Sequence, residues 1–148
     1  MAIVREQILA AIKTKLAAIA VPAGLQVYRN KTTEVDRFPA LVVQDSEQEV
    51  ISDQTQFARY QMTVGVTGFV QNTDEALIGS LVNELYGAVV AALLSDVTQG
   101  NLAIDTREES MTTEINEADD AKVTAVFAVS FKVEYATKYG QPAVLGPI

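Results

Sequence analysis

The most constraining feature of the sequence is a change of hydrophobic period inside one continuous stretch, Ala58 to Leu94. From Tyr60 to Val70 the residues Tyr60, Met62, Val64, Val66 and Val70 alternate with Gln61, Thr63, Gly65 and Thr67, a period of two that gives a strand one dry and one wet face. After the link Gln71-Asn72-Thr73, Leu77, Leu81, Leu85, Val89 and Leu93 recur at helical spacing, flanked by Ile78, Val82, Tyr86 and Val90. Asn72 is placed to cap that helix, with Glu75 completing a capping box and Asp74 adding negative charge at the helix start. A strand face and a helix face this apolar must cover each other, so the remaining elements should add to a two-layer core. A regular strand from Phe57 to Val70 would span about 45 Å, against a radius of gyration of about 15 Å for a globule of this size. The strand must therefore bend, at Gly65 or Gly68, or project as an arm.

The flanking segments follow the same grammar. Ala2 to Ala20 carries Ile8, Ile12, Leu16 and Ile19 on one face and predicts an amphipathic helix ended by Pro22 and Gly24. Leu25 to Tyr28 reads as a short strand, Arg29 to Phe38 as a polar connection, and Ala40 to Gln44 as a strand begun by Pro39. The polar run from Asp45 to Gln56 predicts strand extensions joined by a hairpin near Ser52-Asp53. The long helix should end near Asp96. Leu102 to Ile104 reads as a short strand and Arg107 to Lys122 as an acid-rich loop. Val123 to Tyr135 is a second long alternating strand, and Ala136 to Ile148, with Gly140, Pro142, Gly146 and Pro147, reads as an extended C-terminal arm of a single domain spanning residues 1–148.

Composition removes most chemistries. The chain of 148 residues is 49% hydrophobic, enough for one cored domain. It has neither Cys nor His, which takes away the usual zinc, haem and iron–sulfur ligands, the cysteine nucleophiles and the commonest general base. A net charge of −8, from 19 acidic and 11 basic residues, disfavours coating nucleic acid by phosphate neutralisation. Arg5, Glu6, Lys13 and Lys15 interrupt the apolar N-terminal segment, so it lacks the order of a secretory signal and a cytosolic protein is expected. Ala76 to Leu94 has the length of a membrane span, but Asn83 and Glu84 at its centre favour a buried helix.

Two residue sets stand out. The acids Glu108, Glu109, Glu114, Glu117, Asp119 and Asp120 match no calcium-loop spacing. They read as a solvated loop first, then as a surface turned toward DNA or a basic partner, and last as a metal site. The phosphate-loop, dinucleotide and nucleophile-elbow motifs are missing, and Gly65-Val66-Thr67-Gly68 lies within a strand. No catalytic residue, cofactor or metal is therefore assigned, and no enzyme is expected. Arg29 with the cluster Asp36-Arg37-Phe38 has two readings: a loop ordered by its own charges with Phe38 plugging the core edge, or contacts to another subunit, where Arg and aromatics are enriched.

Several segments, in order, resemble one family: Arg5-Glu6-Gln7-Ile8-Leu9-Ala10-Ala11, Val27-Tyr28-Arg29-Asn30, Val35-Asp36-Arg37-Phe38-Pro39-Ala40-Leu41-Val42-Val43, Thr73-Asp74-Glu75-Ala76-Leu77, the helix Leu85 to Leu93, Leu102-Ala103-Ile104-Asp105 with Arg107-Glu108, and Val133-Glu134-Tyr135-Ala136-Thr137. The chain looks like a tail terminator, or minor tail, protein of long-tailed bacteriophages. That resemblance implies an α/β fold of the α+β type, with a mixed, largely antiparallel sheet, two main helices packed on one face and long strands projecting as an arm. It implies a homohexameric ring on the head-proximal end of the tail tube, in the virion tail after assembly in the host cytoplasm. Such a ring stops tube polymerisation, meets the tube protein on one side and head-completion or neck proteins on the other, and lets DNA through its lumen unread, with no membrane involved. The acid-rich segment would line the bore or rim, where it repels phosphate. The competing readings are another neck or tube subunit of the same particle and a small-ligand binding module.

Overall fold

Apolar residues three and four apart draw Val4–Ala17 into a helix, α1, whose Val4, Ile8, Leu9, Ile12 and Leu16 are all buried. The structure is a computed structural model and describes residues 2–20, 22, 24–53, 56–117 and 122–146. After α1 come the strands β1 (Gln26–Arg29), β2 (Ala40–Asp53) and β3 (Phe57–Asn72), helix α2 (Glu75–Leu94), and strands β4 (Asp105–Glu117), β5 (Val123–Lys138) and β6 (Gln141–Leu145). The sheet order is β1-β2-β3-β5-β4, with β6 on β5. Only β1 and β2 run parallel; the other pairs are antiparallel. This is the mixed α+β sheet anticipated above. Both helices share one core cluster with the sheet face made by Leu41, Val43, Met62, Val64, Val66, Phe127, Val129 and Phe131.

The two long alternating strands pair with each other at the centre. Every residue from Phe57 to Asn72 is matched by one from Lys138 to Val123 with no register shift. The expected bend at Gly65 or Gly68 therefore leaves no bulge in β3. Bulges fall elsewhere in the sheet, between Asp45 and Gln48 and between Val50 and Ser52 in its neighbour β2, and between Glu108 and Ser110 in the edge strand β4. An inner strand bonded on both sides cannot take up an extra residue without breaking a ladder, whereas strands with a free side can. Gly68 has another purpose: it faces Phe127, and a Cβ there would stand 2.1 Å from a ring carbon of that side chain.

Helix α2 is apolar enough, by length and composition, to cross a membrane. In the fold its core line is Ile78, Val82, Leu85, Val89 and Leu93: Leu85, Val89 and Leu93 are buried as expected, and only the first two turns differ, with Ile78 and Val82 inward in place of Leu77 and Leu81. Leu77 is 49% exposed and Leu81 half-buried. The N-cap is Asp74, whose side chain accepts from the Ala76 N–H; Asn72 acts one step earlier, accepting from Asp74 N–H. Asp74 wins because it directly precedes the first helical residue, where its carboxylate reaches the free N–H groups.

Three further expectations are corrected. Leu102–Ile104 is not a strand: Gln99, Gly100 and Asn101 all take positive φ (50°, 75° and 66°) and wind the chain into turns that close on the Thr98 carbonyl. The acid-rich Arg107–Glu117 is not a loop but most of β4, hydrogen-bonded to β5 along one side and open along the other. Charged side chains suit such a strand because they discourage pairing with another chain. The C-terminal arm folds back on its own subunit. Ala136 to Lys138 belong to β5, Gly140 turns with φ 72°, and β6 takes the free side of β5 beyond the point where β4 begins. The β2–β3 hairpin stays paired with β5 as far as Phe57 rather than projecting as an arm, but its β2 side leaves Glu47, Glu49, Val50 and Ile51 exposed.

Candidate functional site

The sheet's second face carries neither helix. Register places Val42, Gln44, Thr67, Phe69, Thr124 and Val126 on it, the face that carries Thr67 and Thr124 from the polar positions of the two long strands. Among the described residues, the connection between β1 and β2 lies over it. There Val35 and Phe38 face Val42, Phe69 and Val126 across a groove of about 410 Å³. A second hollow of about 310 Å³ continues it toward Ser46, Thr63 and Ser130, with Lys31 and Gln44 lining both. Lys132 Nζ donates to Thr63 Oγ1 at 2.7 Å, so two cations flank this hollow, Lys31 from the connection and Lys132 from β5. Lys31 Nζ also lies 4.8 Å from the centre of the Tyr28 ring, and Lys132 lies 3.4 Å from Glu109.

The predicted interface residues do not form one group. Arg29 lies on the helix side of β1 and is held inside the subunit. Its Nη1 and Nη2 donate to Glu6 of α1 at 2.6 and 2.9 Å, and its Nε and Nη2 to Asp45 of β2 at 3.0 and 2.8 Å. Arg5 adds a bond from Nη2 to the Ser46 carbonyl at 3.0 Å. One guanidinium thus ties three elements, a task its planar set of donors suits. Asp36 and Arg37 are exposed beside the groove, with no ion pair among the described residues, and Phe38 is a half-buried wall of it, preceding a cis Pro39.

The acids are likewise spread along an edge. Glu108 points to the helix side and accepts from the Tyr86 hydroxyl, Glu109 pairs with Lys132, and Glu114 is exposed on the open side. Glu117 ends β4, and Asp119 and Asp120 lie outside the described residues. Among the described residues no group of three such side chains is arranged to hold a metal ion.

The Arg29 triad makes a prediction. Hydrogen bonding from Arg29 holds the carboxyls of Glu6 and Asp45 below their ordinary values of 4.5 and 3.8, outweighing the opposing effect of burial. As pH falls, the unfolded chain binds these protons before the folded one does. The triad's stabilisation is therefore complete above about pH 5 and is lost as pH drops through the lowered folded values. Melting temperature recorded from pH 7 to 3 is expected to fall below that point, and Arg29→Met is expected to flatten the fall. An unchanged slope in Arg29→Met would show that other carboxyls set it.

No protein-family model and no curated protein matches the sequence. Among solved structures, a chain of the virion of a native gene transfer agent particle aligns over 88% of this chain and 97% of its own length, with TM-score 0.58 and 17% identity. The two share a fold. A second solved chain aligns over 87% of this one and 94% of itself at 19% identity and TM-score 0.46, too loose a likeness to carry an argument.

Proposed function

We propose that the chain is a structural subunit of a phage-type particle that assembles with copies of itself into a homohexameric ring. The ring caps the head-proximal end of the tail tube, ends its polymerisation and offers a surface for head joining, without catalysis. The observation that carries this reading is the fold shared with a virion chain over nearly all of that chain's length. The sequence resemblance to tail terminators favours the finer role, and the sheet face with its groove and the exposed residues of the β2–β3 hairpin supply surface for self-association. The acidic β4 edge, with Glu108, Glu109, Glu114 and Glu117, is assigned to the bore or rim, where like charge keeps passing DNA from adhering.

Purified protein, alone and added to polymerising tube subunits, tests this by light scattering and electron microscopy. Closed rings of one size and tubes capped at one end with bounded length are expected. Open filaments of this chain would favour a tube subunit of the same fold, and uncontrolled tube length with no cap would overturn the terminator role. Rings that retain duplex DNA at low salt would overturn the placement of the acids.

A further inference from the structure

The hairpin tip and the groove are complementary in shape, apolarity and charge, and they sit apart on the same subunit. At the tip, Val50 and Ile51 are 60% and 42% exposed, an unusual burden for two adjacent aliphatic side chains on a strand. Glu47 and Glu49 beside them are exposed and without an ion pair among the described residues. The groove offers the converse: an apolar floor at Val42, Phe69 and Val126, leading into the hollow flanked by Lys31 and Lys132. The acid lining that hollow, Asp45, is already held by Arg29, while Glu109 holds Lys132 and Glu34 lines the groove with Lys31.

Position decides the kind of contact these surfaces make. Val50 pairs with Tyr60, whereas the groove floor lies at Phe69 of the same strand, about 30 Å further along. The tip's Val50 and an apolar floor this far along the strand cannot face each other on one molecule, and between two molecules they form a head-to-tail contact, the type that closes into a ring.

We propose that the β2–β3 tip of one subunit, led by Val50 and Ile51, seats in the groove of the next, with Glu49 against Lys31. The occupant is a second copy of this chain, and the assignment rests on the ring reading above. It explains how a chain of net charge −8 associates with itself: repulsion is offset locally by placing an acid of one copy beside Lys31 of another.

The chain contains no cysteine, so introduced thiols report unambiguously. Gln44→Cys combined with Ile51→Cys places the pair seven residues apart on one strand, about 20 Å, too far to bridge within a subunit. Treatment with a short bismaleimide is expected to give a ladder on denaturing gels ending at one closed species, with neither single variant passing the dimer. Lys31→Glu or Glu49→Lys alone is expected to lower the ring fraction at least ten-fold, and the double exchange to restore it. Gln44, Glu49 and Ile51 are exposed and Lys31 is half-buried over the Tyr28 ring, so melting temperature is expected to stay constant except for a small fall in Lys31→Glu, which Lys31→Gln separates from the effect of charge. If wild-type rings form, alone or on tube ends, but the double-cysteine protein stays monomeric on the gel and Ile51→Glu assembles normally, this contact is wrong and the ring reading survives. If the wild type forms no rings in either setting, both fall.

Discussion

Gly68→Ala is expected to lower stability by about 3 kcal/mol, at the upper end of the usual cost of overpacking a core, equivalent to roughly 10 °C for a domain of this size. The sign is the informative part. In a strand where alanine fits, the substitution stabilises by about 0.4–1 kcal/mol, because it removes conformational freedom from the unfolded chain. Here the new Cβ would lie 2.1, 2.3 and 2.9 Å from three carbons of the Phe127 ring. The ring is fully buried and packs edge-on against Tyr86, with centroids 6.1 Å apart, so it has nowhere to retreat. Phe127 in turn covers the bare backbone of its cross-strand partner, the arrangement by which an aromatic makes a strand glycine tolerable. Phe127→Ala is expected to cost about 3–5 kcal/mol through lost burial and a residual cavity. Gly68→Ala made in a Phe127→Leu background should regain more than 1 kcal/mol relative to the sum of the single changes. Urea unfolding of the four proteins measures this, and a stabilising Gly68→Ala would refute the close packing.

The same pair shows what was legible in the sequence. Alternation announced β3 and β5 because a two-residue period survives whatever lies opposite, but it could not show that Gly68 and Phe127 share a row. A strand glycine read alone suggests a bend. The phase of α2 was ambiguous for a related reason: Leu77 and Ile78 begin equally apolar lines, and only the sheet decides that Ile78 faces inward. β4 was hidden because its order comes from hydrogen bonds to β5, which leave no mark in a run of acids and threonines. The cluster Asp36-Arg37-Phe38 was visible as a cluster, whereas its groove was not, since the floor is built from the face of β3 that reads as wet. Arg29 suggested an interface until its partners, 23 and 16 residues away in the chain, accounted for its donors.

Gln99 left no signal at all, and its removal is expected to have the second large effect. It is a polar residue between Thr98 and Gly100, where sequence predicts an exposed turn, yet it is fully buried and takes φ 50°. Its amide joins three elements. Oε1 accepts from Lys15 Nζ of α1 at 2.6 Å, while Nε2 donates to the Leu93 carbonyl at the end of α2, at 3.0 Å, and to the Thr106 hydroxyl of β4, at 3.1 Å. Lys15 also donates to the Asp96 carbonyl at 3.0 Å, and Thr106 to the Val97 carbonyl at 2.7 Å, so the α2–β4 connection is closed by polar contacts. Gln99→Leu keeps the volume but strands a helix-end carbonyl, and each buried group left unpaired costs about 1–3 kcal/mol. A loss of about 3 kcal/mol is expected. Lys15→Met should cost less, because the ammonium is nearer to solvent and its stem still packs. The double variant should then lose less than the sum, since Gln99→Leu has already removed one acceptor of Lys15. Gln99→Gly separates backbone from side chain: it relieves the left-handed φ but loses the amide, so it too should be destabilising. A Gln99→Gly protein as stable as the wild type would mean that the conformation, not the hydrogen-bonded amide, is what this turn requires.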